Sequence, residues 1–209
     1  MPEYPPVSET FTSLQAWMRA HAPGVTFRPP ADPAAINHFV DRSGLTLPDE
    51  LVDLLTQADG ESRKSAGAIG NWRMMPIPEI QASWGFLRQL AAKGAFAELE
   101  PQPSPYLHPA WWHPGWIPIV GSDTGDYFCI DSDPPESKQY GQVLLFLHEQ
   151  PERPLAAGSL GAWLDRINRD LADGLYTFDK VEGFNGEACL WSALEGKHLL
   201  DNRPGKQIV

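Results

Sequence analysis

Trp116-Ile117-Pro118-Ile119-Val120-Gly121-Ser122-Asp123-Thr124-Gly125-Asp126-Tyr127-Phe128-Cys129-Ile130-Asp131-Ser132-Asp133-Pro134 is followed, after a short polar insert, by Gly141-Gln142-Val143-Leu144-Leu145-Phe146-Leu147-His148. Three apolar runs of strand length are separated by two clusters of turn residues. The first cluster, Asp123 to Asp126, centres on Gly125 and tolerates positive φ, and the second, Asp131 to Gly141, is rich in Pro, Ser and Asp. The segment 116–148 therefore reads as an antiparallel meander. Alternation places Phe128 and Ile130 on one face and Tyr127 and Cys129 on the other. In the last strand it sets Val143, Leu145 and Leu147 against Leu144 and Phe146. Both faces are apolar, so each needs a cover of helices or loops.

The rest of the chain supplies that cover. Phe11, Leu14, Trp17 and Met18 recur at helical spacing over residues 10 to 21, and Ala22-Pro23-Gly24 ends the run. Asp32 caps a second helix with Pro33 in its first position, Ile36, Phe39 and Val40 as its inner stripe and Gly44 as its left-handed stop. A third opens at Leu47-Pro48-Asp49-Glu50, buries Leu51, Leu54, Leu55 and Ala58, and closes at Gly60. Pro78 starts a fourth, with Ile80, Trp84, Leu87, Leu90 and Ala91 on one side up to Gly94. A fifth, over 159–173, has Ser159 as cap, Leu160, Trp163, Leu164, Ile167 and Leu171 as stripe, and Gly174 as terminator. Residues 61–70 read as a loop and Trp72 to Met75 as a short edge strand. Five prolines between Ala97 and Gly115 forbid either ladder there, so that segment reads as an ordered loop anchored by aromatic side chains. Beyond the last helix, Tyr176 to Phe178 suit a strand, Glu187 to Leu194 fit helix or strand, and Asn202-Arg203-Pro204-Gly205-Lys206 is expected to fray. The expectation is one α+β domain over 1–209: a central, mainly antiparallel sheet containing the 116–148 meander, covered by the N-terminal helices and the 159–173 helix.

With 209 residues, 42% of them apolar, the chain can bury a substantial core. Its 16 basic and 27 acidic residues leave a net charge of −11, which repels phosphate backbones and anionic lipid surfaces. Nucleic acid and membrane are thus excluded as expected partners, whereas a basic protein suits the charge; solubility is the plainer use of the same acidity. Cys129 and Cys189 imply no disulfide framework, and the opening Met-Pro-Glu-Tyr-Pro-Pro has neither a basic region nor an apolar run. No stretch reaches the roughly 18 apolar residues of a membrane helix. A cytoplasmic setting is the expectation.

Several of these pieces carry a family resemblance. Leu47-Pro48-Asp49-Glu50-Leu51 with Asp59-Gly60, then Trp116-Ile-Pro-Ile, Gly125-Asp126-Tyr127-Phe128-Cys129-Ile130-Asp131 with Asp133-Pro134, and Gly141-Gln142-Val143 occur in this order. Together they resemble the Smi/Knr cell-wall assembly regulator family of the SUKH superfamily. The likeness covers roughly residues 12 to 173 and leaves 174–209 as an extension without a counterpart. Its turn, Ser122-Asp123-Thr124-Gly125-Asp126, departs from the glycine-richer turn ending in Asn that is usual there. The resemblance implies an α+β fold and a non-enzymatic, protein-binding role. Bacterial members are often immunity proteins that neutralise a toxin, and fungal members regulate cell-wall synthesis through protein contacts.

The chemistry-bearing residues have readings of their own beside that resemblance. Asp123, Asp126, Asp131 and Asp133 could gather oxygen ligands, yet the order of a calcium loop, with its terminal bidentate Glu, is not met. Turn-forming aspartates explain them, with an acidic partner-binding rim as the functional alternative. His108 and His113 flank Trp111 and Trp112, but no Cys pair or His-Glu helix accompanies them to complete a zinc site. Aromatic packing is the plain account of this loop; exposure of some of Trp72, Trp111, Trp112 and Trp116 as interface anchors is the functional one. Ala157-Gly158-Ser159-Leu160-Gly161 lacks the Gly-x-Ser-x-Gly of a nucleophile elbow, and no glycine-rich phosphate cradle is present. The expectation is therefore a protein with no catalytic residues, no metal and no cofactor. Its partner is another protein, for which a basic toxin suits the charge. An immunity function is the first reading and a regulatory scaffold with an endogenous partner the alternative.

Overall fold

The computed structural model describes residues 4–70, 72–183 and 186–193. In chain order they form α1 (Val7–His21), α2 (Pro33–Ser43), α3 (Asp49–Gln57), β1 (Arg73–Met74), α4 (Ile77–Ala92), β2 (Trp116–Gly121), β3 (Tyr127–Asp131), β4 (Val143–Phe146), β5 (Leu155–Ala157), α5 (Leu160–Ala172), β6 (Tyr176–Gly183) and β7 (Gly186–Ala193), with one turn of 3-10 helix at Ser137–Gln139. The fold is α+β, as the sequence predicts. Strands β1 to β5 make one sheet in sequential order, every neighbour antiparallel. Gly125 (φ 93°) takes the left-handed backbone that reverses the chain between β2 and β3. In the register, Cys129 lies opposite Pro118 and Leu144, and Ile130 opposite Ile117 and Val143. The β2–β3 register shifts between Pro118 and Val120, beside the residue of β2 that has no N–H to donate.

Both faces of the meander are buried, and they are covered by different means. Phe128 packs its ring 4.7 Å from Trp163 of α5 and 5.4 Å from Trp72, and α1 and α3 pack on α5. On the Phe146 side the sheet meets the irregular segment 97–115 through Trp111. Arg153 lies between them, its guanidinium 4.6 Å over the Phe146 ring and 4.8 Å from the Trp111 ring. Its Nε and Nη2 donate to the Trp111 carbonyl (3.0 and 2.7 Å), and its Nη1 donates to the carbonyls of Glu152 (2.7 Å), Gln150 and Leu147. A proline-rich segment has few ladder hydrogen bonds of its own, so a buried fork of donors from outside fastens it. Trp84 of α4 adds a tie, Nε1 to the Pro114 carbonyl at 2.7 Å.

The caps follow the sequence. Asp32 accepts from the Ala34 N–H, and Ser159 accepts from the Ala162 N–H, each worth about 1 kcal/mol. Helix α1 starts at Val7 rather than at residue 10, because Pro5-Pro6 sets the extended entry and the Pro6 carbonyl already accepts from Glu9 and Thr10. Helix α3 ends at Gln57, so Gly60 is not its stop. Gly60 is left-handed (φ 66°) for another reason: a Cβ there would lie 2.5 Å from Met75 C and Pro76 N. The 61–70 loop is organised by Glu61, only 1% exposed. Its Oε1 accepts from the N–H groups of Met74 (2.8 Å) and Ala68 (3.1 Å), and its Oε2 accepts from the Ser65 hydroxyl. Burial pushes its carboxyl pKa up, and these hydrogen bonds offset only part of the rise. Strand β5 has no sequence signal. The segment ambiguous between helix and strand resolves as β7, which pairs with β6 in a separate two-stranded sheet. The residues expected to fray, 202–206, lie outside the described residues.

Candidate functional site

The four aspartates grouped by sequence do not share a surface. Strand β3 separates Asp126 from Asp131 by five residues, about 17 Å at the usual strand rise. Asp126 accepts from the His148 backbone N–H (2.9 Å), lies 2.7 Å from His148 Nδ1 and accepts from the Thr124 hydroxyl, while Asp123 is exposed at the turn beside it. At the other end, Asp131 is fully buried. Its Oδ1 accepts from the Asp133 N–H (3.1 Å) and its Oδ2 from Gln142 Nε2 (2.9 Å), which also donates to the Tyr106 carbonyl. Burial raises the Asp131 pKa. Asp131 is therefore a strut between β3, β4 and the loop, and a continuous acidic rim does not form.

The tryptophans expected as exposed anchors are also corrected. Trp72 and Trp111 are 8% exposed, Trp112 4% and Trp116 0%. Trp72, Trp111 and Trp112 carry the largest apolar rings of segments that have little regular structure, and burying them is what orders those segments, whereas Trp116 opens β2.

At the Asp131 end the structure brings together residues far apart in sequence. The rings of His108 and His113 stack with centroids 4.2 Å apart and planes at 18°. Asp133 joins them, its Oδ2 4.0 Å from His113 Nε2, with its side chain 68% exposed. One ligand atom from each of the three lies within 4.8 Å of the other two. The sequence sets no Cys pair or His-Glu helix beside the histidines; the structure adds this carboxylate, which follows His113 by twenty residues and crosses over on the turn after β3. Gly115 makes the approach possible: a Cβ there would sit 2.6 Å from the Asp133 Cβ and 3.1 Å from His113 Nδ1. The Gly115 N–H donates to His113 Nδ1 (3.1 Å), and the Ser132 N–H and hydroxyl donate to the Gly115 carbonyl (2.8 and 2.9 Å). Burial, followed by the neighbouring His108, lowers the His113 pKa, which keeps its imidazole neutral near neutral pH. Nε2 of His108 is buried and makes no hydrogen bond among the described residues.

A second feature lies between α2 and α4, an open groove of about 1020 Å³ with solvent included. Both charged residues that line it, Arg42 and Arg88, are basic, and Arg88 lies 5.2 Å over the Trp84 ring. Ala82, Gly85 and Ala92 present small side chains to it from α4, and nothing stands within 4 Å of a Cβ placed at Gly85. Phe86, next to Gly85, is 59% exposed. Sequence reading missed this groove; its signal was Ala82, Gly85 and Ala92, small residues three and seven positions apart along a helix with an exposed Phe.

The model of the SMI1 / KNR4 family (SUKH-1) matches residues 30–166, more than half of the chain. A Schizosaccharomyces pombe protein described as "Cell wall biosynthesis/cell cycle regulator smi1" is 25% identical over 198 residues, covering 84% of this chain and 38% of that protein. A "KNR4/SMI1 homolog" of Eremothecium gossypii is 33% identical over 86 residues, covering 40% of this chain and 13% of that protein. The "Cell wall assembly regulator SMI1" of Saccharomyces cerevisiae is 26% identical over 86 residues, 40% of this chain and 17% of that protein. The chain thus spans less than two fifths of the length of each of these relatives. No helix among the described residues is long and apolar enough to cross a membrane.

Proposed function

The chain belongs to the SMI1 / KNR4 family (SUKH-1), and from that premise we propose that it is a non-catalytic regulatory domain that holds a segment of an endogenous protein in the groove between α2 and α4. The charge of the groove carries this reading. In a chain of net charge −11, both charged residues lining it are arginines and no carboxylate lines it. Guanidinium forks recognise carboxylates, so the segment that fits is an acidic one. The small residues of α4 let its backbone come close, and the Phe39 and Trp84 rings that line the groove offer apolar contact, the usual arrangement of a segment laid in a groove. The regulator descriptions of the fungal relatives support the alternative of a scaffold with an endogenous partner.

The test is selection from a displayed random-peptide library on the intact chain. Enriched peptides should carry carboxylates around an apolar residue and lose about tenfold or more in affinity for the Arg42→Glu, Arg88→Glu double variant, the scale of losing one or two charged contacts. Peptides that are basic, or that bind the double variant equally well, refute it. The second reading, an immunity protein for a basic toxin, is favoured by the net charge, since opposite fields accelerate encounter. It predicts that basic ligands are enriched and that co-expression with toxin-bearing neighbours rescues growth.

A further inference from the structure

We propose that His108, His113 and Asp133 form a binding site for a divalent transition-metal ion of the zinc type, with water completing the coordination. Two imidazoles and a carboxylate are a borderline donor set that suits Zn²⁺ rather than Ca²⁺ or Mg²⁺. The geometry is within reach of it. Three atoms no more than 4.8 Å apart share a point within about 2.8 Å of each (4.8/√3), against zinc–ligand distances of about 2.0–2.2 Å. Closing the remainder asks each ligand atom to move by about 0.6–0.8 Å. The exposed Asp133 side chain is free to move, and one imidazole must turn out of the stack, because two near-parallel rings cannot both aim an in-plane lone pair at one ion.

Three further observations point to the same place. His108 Nε2 is a buried polar atom with no hydrogen-bond partner among the described residues, which is unusual unless something else satisfies it. Gly115 is required for the approach of Asp133 to His113, so the backbone is shaped around this pair. The two prolines after the histidines, Pro109 and Pro114, limit the freedom of the loop that carries them.

Metal binding also has a specific consequence for the backbone. The Gly115 N–H donates to His113 Nδ1. A metal at Nδ1 takes that lone pair, and a metal at Nε2 moves the ring proton to Nδ1. Either way this hydrogen bond is released, so the Gly115 amide reports occupancy.

The experiment is titration of Zn²⁺ into the tag-free, chelator-treated full chain, followed by calorimetry and by amide NMR. One equivalent should bind at micromolar affinity or tighter, and the Gly115 amide resonance should move in step. Asp133→Asn, an exposed position whose change leaves the fold intact, should weaken binding about tenfold or more. His108→Ala should abolish it, and circular dichroism checks that this variant folds. His148→Ala, at the opposite end of the sheet, should bind as wild type. The proposal is overturned by the absence of saturable binding, by wild-type affinity in Asp133→Asn, or by loss of binding in His148→Ala with no movement at Gly115.

Discussion

Replacing Arg153 by Met tests how the sheet holds the irregular segment 97–115. Arg153 is 6% exposed, and its guanidinium donates five hydrogen bonds to four carbonyls, those of Trp111, Leu147, Gln150 and Glu152. Met keeps the length and the contact with the Phe146 and Trp111 rings but offers no donor. A hydrogen bond to a charged group contributes about 1.5–3 kcal/mol, and a desolvated cation over aromatic rings about 2 kcal/mol. Removing the buried charge also removes its desolvation penalty, which is several kcal/mol. These terms largely offset one another, and the expected net loss is about 3 kcal/mol, the scale of taking the partner away from a buried polar group, with the Trp111 carbonyl losing two donors at once. For a chain of this size that lowers Tm by about 6–12 °C. Burial lowers the Arg153 pKa to about 10, so the group keeps its charge throughout the neutral range and the loss should not vary with pH there. Guanidinium unfolding followed by far-ultraviolet circular dichroism measures it, and hydrogen exchange should show the deprotection concentrated in residues 106–116. Arg153→Lys, a cation without the fork, should fall between. A loss below about 1 kcal/mol in Arg153→Met would refute the reasoning, because it would mean that water reaches these carbonyls.

Two other predictions concern the 59–75 region and the β2–β3 turn. The Glu61 pKa is raised by burial; between its unfolded value, about 4.3, and the higher folded value the folded state binds more protons, so stability falls as pH rises through that window. Glu61→Gln keeps the acceptor for the Ala68 and Met74 N–H groups and should remove that fall, read as the pH dependence of the denaturation midpoint; an unchanged slope counts against Glu61 as its source. Gly60→Ala meets backbone at 2.5 Å as well as the left-handed φ, whereas Gly125→Ala meets only the φ. The first should cost roughly 4 kcal/mol or prevent folding and the second about 1 kcal/mol, by thermal melts of both; equal costs would discard the close-packing account of Gly60.

What could be read in the sequence and what could not divides along one physical line. The meander, the Asp32 and Ser159 caps and the helix stripes depend on residues a few positions apart, and local propensity and periodicity report them. Glu61, Arg153 and the Asp133–histidine contact depend on which segments meet, and nothing near Arg153 in the sequence points to Trp111, forty-two residues away. The error over the aspartates shows how this works. Asp123, Asp126, Asp131 and Asp133 lie within eleven positions, but a strand between two turns carries those turns to opposite ends of a sheet. In an antiparallel meander the turns alternate between ends. The β2–β3 turn therefore meets the end of β4, and the β3–β4 turn meets the beginning of β2. That parity accounts for both observed contacts: Asp126 bonds His148, twenty-two residues on, and Ser132 bonds Gly115, seventeen residues back, with Asp133 reaching His113 beside it. Once the strands are placed, the pairing of chemistry-bearing residues follows from counting turns, and adjacency in the chain is the wrong measure for a site built at a sheet's end.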